Sequence, residues 1–157
     1  MVEYREPFSV NVTGNQVGER LRVVIADDNP AMLEAEKRIL QSDFQVVAAI
    51  KDPETVVTEV PKLKPDVVIL DISMGETNGF DVSRQLKTGL SPWKIIFLTV
   101  HEELDFIRAA FNAGASGYVF KSRMNTDLCP AINTVQSGKV FIPDAPIPQY
   151  DLDSEIP

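Results

Sequence analysis

The chain has 157 residues, 44% hydrophobic and 24% charged, which suits one domain with a real core plus tails. Its 23 acids outnumber its 15 bases for a net charge of −8, which argues against direct binding to nucleic acid or an anionic membrane. The single cysteine, Cys129, rules out a disulfide framework and a Cys-based metal site, and fits a cytoplasmic protein with no membrane span.

Residues 1–20 show no sustained period and read as an N-terminal arm. From Leu21 a regular alternation begins. Leu21 to Ala26 is a buried strand stopped by Asp27-Asp28. Asn29 then offers an N-cap and Pro30 suits the first helical position. Met32, Leu33, Ala35, Ile39 and Leu40 supply the apolar face of the first helix. Phe44, Val46, Ala48 and Ile50 alternate, as in a strand at a sheet edge. Asp52-Pro53 repeats the cap-then-proline start, and Pro61 is expected to end or kink the second helix.

Val67 to Leu70 is an apolar run ending in Asp71, the central strand of the chain. Residues 72–79 have loop chemistry, with Gly75 and Gly79. A third helix is read over 79–87, ended by Gly89. Residues 94–98 form a fourth strand ending in Thr99, with Trp93 at its far end. A fourth helix is read over 102–112, with Glu102 and Glu103 in its first turn. Tyr118 to Phe120 is a fifth strand ending in Lys121. The last helix spans about 126–136, with Pro130 near its start. Residues 143–157 carry prolines and four acids but no Lys or Arg, and read as an acidic, proline-rich tail.

Five strand-helix pairs in strict alternation predict a doubly wound five-stranded parallel sheet with helices on both faces. The expected order is the flavodoxin-like 2-1-3-4-5. In that order all strand ends share one rim, and strands one and three are neighbours. Asp27, Asp28 and Asp71 then meet in one crevice. Like charges that close repel, and a divalent cation relieves them; carboxylates with water and a carbonyl suit Mg²⁺. A carboxylate beside Mg²⁺ can attack phosphorus and form an aspartyl phosphate. Lys121 and the Thr99 hydroxyl stand ready for the remaining phosphoryl oxygens.

These residues resemble the receiver domain of a two-component response regulator. The match rests on Asp27-Asp28, on Asp71 with Ile72-Ser73-Met74, on Thr99, and on Tyr118-Val119-Phe120-Lys121. It covers about 21–142. Thr99-Val100-His101-Glu102-Glu103 and residues 113–118 look most like the subfamily with helix-turn-helix output domains. The resemblance implies Asp71 as phosphoacceptor, with Mg²⁺ held by Asp27, Asp28, Asp71 and the Ser73 carbonyl. It implies Thr99 and Tyr118 as a switch pair, with Tyr118 drawn inward on activation, and Lys121 on the phosphoryl group. Ser73 and His101, two residues beyond Asp71 and Thr99, are expected to tune the lifetime of the phospho-form.

Three departures from the family pattern stand out. Gly75 replaces the usual proline after the methionine. Ser122 replaces the proline often found after the lysine, where a cis bond is then not expected. Val100 is bulkier than the small residue common beside the threonine, and is expected to narrow access to Asp71.

The implied function is a phosphorylation-controlled switch rather than an enzyme, with a sensor histidine kinase as donor. No DNA-binding output domain is read in this chain. Output is expected through a downstream protein or self-association on helices one, four or five, without direct nucleic-acid binding. One alternative is the receiver fragment of a DNA-binding transcriptional regulator. Another is an aspartyl-phosphate phosphohydrolase, for which Ser73 is a poor general acid.

Overall fold

The computed structural model describes residues 19–89 and 91–143. Most of the arm at 1–20 and nearly all of the tail at 143–157 therefore lie outside the described residues. The chain runs β1 (Arg22–Ala26), α1 (Pro30–Leu40), β2 (Gln45–Ile50), α2 (Pro53–Leu63) and β3 (Val67–Leu70). A short hairpin follows, β4 (Ser73–Met74) with β5 (Thr77–Asn78), leading into α3 (Gly79–Leu86). Then come β6 (Lys94–Thr99), α4 (Leu104–Asn112), β7 (Gly117–Phe120) and α5 (Met124–Gln136).

The five long strands form one parallel sheet in the order β2-β1-β3-β6-β7, the expected doubly wound order. Side chains alternate across it, as strand geometry requires. Val24, Ala26, Val68 and Leu70 face a core shared with Val56 and Val60 of α2, Val82 of α3 and Ile107 of α4. Val23, Ile25, Val67 and Ile69 face the other core, with Leu33 and Leu40 of α1 and Leu128 and Ile132 of α5. β2 lies at one edge and its middle residues are only half buried, as its sequence pattern implies.

Local chemistry starts the helices. The Asn29 carboxamide accepts from the Ala31 amide at 2.9 Å, and the Asp52 carboxylate from the Thr55 amide at 3.0 Å. Asn78 does the same for α3, accepting from the Asp81 amide at 3.0 Å. Trp93 is buried just before β6, its Nε1 donating to the Leu86 carbonyl at 3.0 Å, at the end of the strand away from Thr99.

Several boundaries differ from the sequence reading. α2 runs through Pro61 to Leu63 before Lys64 turns left-handed at φ 52°. Pro130 falls in the middle of α5, not near its start, because the helix begins at Met124 after a single 3₁₀ turn at Lys121–Arg123. Both prolines are exposed, on helices whose other faces are held by buried residues such as Val56 and Val60 in α2 and Leu128 and Ile132 in α5. α4 begins at Leu104, so Glu102 and Glu103 precede it and Asp105 is the acid in its first turn.

Candidate functional site

β1 and β3 are neighbours, so their carboxyl ends deliver Asp27, Asp28 and Asp71 to one point on the rim. One carboxylate oxygen from each lies within 4.8 Å of the others. Asp27 and Asp71 are buried at 1% and 7% exposure, while Asp28 is exposed at the mouth. A hard-oxygen donor set this tight, open on one side, fits a small divalent cation that keeps waters.

Lys121 enters from the end of β7. Its Nζ lies 2.7 Å from Asp27 Oδ2 and 3.0 Å from Asp71 Oδ2. Burial alone would pull the ammonium pKa down. The hydrogen bonds and charges of Asp27 and Asp71 outweigh it and hold Lys121 above the ordinary lysine value. Burial pushes the Asp27 carboxyl up, and its bonds to Lys121 and the Asn29 amide offset this only in part. Asp71 Oδ1 also accepts from the Ile72 amide at 2.8 Å. Its other oxygen faces the lysine.

Gly79 secures the start of α3 against this strand end. A Cβ there would collide with the Asp71 carbonyl, so only glycine lets the helix begin so close to the acid.

Thr99 ends β6 with no exposure, and its hydroxyl accepts from the His101 amide at 3.3 Å. Tyr118 is also fully buried, although β7 is an edge strand, and its hydroxyl donates to the His101 carbonyl at 2.8 Å. The sequence reading has Tyr118 moving inward on activation; in this structure it already occupies the inward position. The two proposed switch residues thus meet through one residue of the loop between β6 and α4. The His101 ring stacks on Phe106, 4.2 Å between centroids. Ser73 is exposed on β4.

The departures from the family pattern are accommodated. Val100 is 66% exposed, on the loop after β6. Among the described residues no peptide bond is cis, and the Ser122 hydroxyl instead donates to Glu102 at 3.0 Å. Lys121 reaches both acids without a following proline.

Glu36 is the residue the sequence reading missed. It is 1% exposed in α1, and its Oε1 has no hydrogen-bond partner among the described residues. Burial, then the charges of Asp27 and Asp71, push its pKa up to about 8, with Lys121 opposing. The signal was spacing. Glu36 lies three residues after Leu33 and four before Leu40, on the stripe that packs inward.

The sheet order and this rim together define an α/β protein of the receiver class. Residues 23–133 match the family model for the response regulator receiver domain, and the chain belongs to that family. It is 35% identical over 130 residues to the transcriptional regulatory protein DegU of Brevibacillus brevis, covering 81% of this chain and 55% of that protein. It is 31% identical over 126 residues to the oxygen regulatory protein NreC of Staphylococcus haemolyticus, covering 78% and 58%. The chain spans about half the length of the curated relatives it matches.

Among solved structures it resembles a LuxR-family two-component response regulator from an Aurantimonas species, with a TM-score of 0.77 at 27% identity, covering 88% of this chain and 96% of that one. It also resembles the isolated receiver domain of RcsB from Salmonella enterica serovar Typhimurium, solved with a beryllofluoride phosphomimetic, at TM-score 0.73 and 29% identity, covering 80% and 95%. The chain is therefore a receiver domain of the kind found in LuxR-family response regulators.

Proposed function

We propose that this receiver takes a phosphoryl group from a sensor histidine kinase onto Asp71 and relays the change through protein contacts. One observation carries the reading: Lys121 is held between Asp27 and Asp71 at 2.7 and 3.0 Å, beside three converging carboxylates. An Asp71 carboxylate oxygen attacks phosphorus, the P–N bond to the donor imidazole breaks, and that nitrogen keeps the electron pair. Lys121 then has a phosphoryl oxygen to bond in place of a bare carboxylate. The Thr99 hydroxyl, now only an acceptor from the His101 amide, turns to donate to a second phosphoryl oxygen. Asp27, Asp28, Asp71 and the Ser73 carbonyl would hold Mg²⁺. Bound there, Mg²⁺ neutralises charge that develops on the transferring group. Ser73 and His101 flank the site and set how fast water removes the phosphoryl group.

Incubation with a small acyl phosphate and Mg²⁺ should add one phosphoryl mass to the intact chain. Asp71→Asn should abolish the gain, and an adduct that persists in that variant would sink the assignment of Asp71.

The output follows from the loop that joins Thr99 to Tyr118. A hydroxyl turned toward phosphate releases the His101 amide, so the loop and α4 shift, and the surfaces of α1, α4 and α5 become contacts for a second copy or a downstream protein. The change shifts a balance only by its differential stabilisation of one form. Light scattering with and without beryllofluoride should show a move from monomer to dimer. An unchanged monomer would leave a foreign partner as the only route. The longer relatives are named as transcriptional regulators, and DNA binding by a whole protein would lie in a segment other than this acidic domain.

A further inference from the structure

The loop after Asp71 has a geometry that the usual family residue could not give. Ser73 pairs with Asn78 and Met74 with Thr77, so Gly75 and Glu76 form a two-residue antiparallel hairpin turn. Gly75 has φ +62°, and no non-glycine residue in this turn has positive φ. Positive φ at the first central residue alone is the pattern of a type II′ turn, which calls for glycine there. Proline fixes φ near −65° and has no N–H, so it cannot take this place. Met74, fully buried, anchors one side of the hairpin, and Asn78 caps α3 on the other.

The Gly75 amide donates to Asp28 Oδ2 at 3.1 Å. That bond joins the loop after β3, which carries Ser73, to the loop after β1, which carries Asp28. Asp28 is exposed, and no cation of the described residues forms an ion pair with it; Lys121 is engaged by Asp27 and Asp71 instead. An exposed aspartate side chain would otherwise sample several rotamers. The amide fixes one oxygen while one Asp28 oxygen lies within 4.8 Å of oxygens of Asp27 and Asp71, so the carboxylate is oriented before a cation arrives.

We propose that Gly75 is a positioning residue for the metal site: its backbone N–H holds Asp28 in the ligating orientation and sets the divalent-cation affinity of this receiver. The inference rests on the metal reading given above and adds the group that tunes it. Partners that orient metal ligands typically change affinity by about ten- to a hundredfold when lost. Because this bond is exposed, a loss near the lower end, about tenfold, is expected.

The test replaces Gly75 with glycolic acid by semisynthesis. The resulting backbone ester removes only the N–H and keeps the freedom to adopt φ +62°. Mg²⁺ affinity is read by calorimetry on the unphosphorylated chain, beside wild type and Gly75→Ala. A Cβ at residue 75 meets nothing within 4 Å, so the alanine variant keeps the donor and probes backbone strain alone. The ester should bind Mg²⁺ about tenfold more weakly, the alanine variant less affected than the ester, and the wild-type Gly75 amide should exchange with solvent more slowly than its Glu76 neighbour. Equal affinity in the ester and wild type overturns the proposal and leaves the metal reading standing. No Mg²⁺ binding by wild type overturns both.

Discussion

Lys121→Ala is expected to destabilise the chain by roughly 3 kcal/mol at neutral pH, the cost of removing one partner from a buried charge pair. The lysine is 13% exposed and lies against two carboxylates, Asp27 and Asp71, that are at most 9% exposed at the side chain. Without the ammonium, Asp27, already pushed up by burial, must stay charged beside Asp71 in a poorly solvated pocket or take up a proton. Protonation relieves the repulsion, so the gap between variant and wild type should narrow as pH falls toward about 5. Mg²⁺ should close part of the gap at neutral pH, since it supplies charge at the same place. Urea unfolding at both pH values, with and without Mg²⁺, reads all three effects. A midpoint equal to that of wild type would show that Lys121 is not what balances the acids.

Glu36 should make stability fall as pH rises through the neutral range. Below its ordinary pKa of 4.5 the carboxyl is protonated in both the folded and unfolded chain and contributes nothing. Between that value and about 8 the folded chain keeps the proton while the unfolded chain releases it, so each step up in pH favours unfolding. Above about 8 the whole cost is present, roughly 5 kcal/mol at most by the pKa difference. Glu36→Gln removes the ionisable group at nearly constant volume. Its stability should therefore exceed that of wild type by an amount that grows with pH from about 5 to about 8 and then levels. Glu36→Leu should do the same and gain packing on the Leu33–Leu40 stripe. Parallel stability curves for wild type and Glu36→Gln would show that the buried carboxyl finds a partner the folded chain can offer at every pH.

Much of the site was legible along the chain because the chemistry sits at strand ends, which are local features. A run such as Val67 to Leu70 announces its own end, and the residue that follows is then known to lie on the rim. Asp27-Asp28, Asp71, Thr99 and Lys121 were all found in this way. Helix starts at Asn29 and Asp52 were equally local, since a capping side chain bonds an amide two or three residues away. Where the reading failed, it used a local rule against a tertiary condition. Pro61 and Pro130 should break helices by themselves, yet both stand on the solvent side of helices pinned by buried neighbours.

By itself the sequence determined the alternation of strands and helices, the parallel sheet and the identity of the residues on its rim. Periodicity and punctuation depend only on near neighbours in the chain. Tertiary structure alone decided how those residues meet. It set Lys121 between Asp27 and Asp71, 94 and 50 residues away. It left Val100 exposed, buried Tyr118 in an edge strand, and carried Glu36 into the core beside the acids. It also brought the Gly75 amide to Asp28 across 47 residues. The physical reason is that burial and charge pairing are properties of the space between elements. That space exists only once the sheet order has brought β1, β3 and β7 to a common rim.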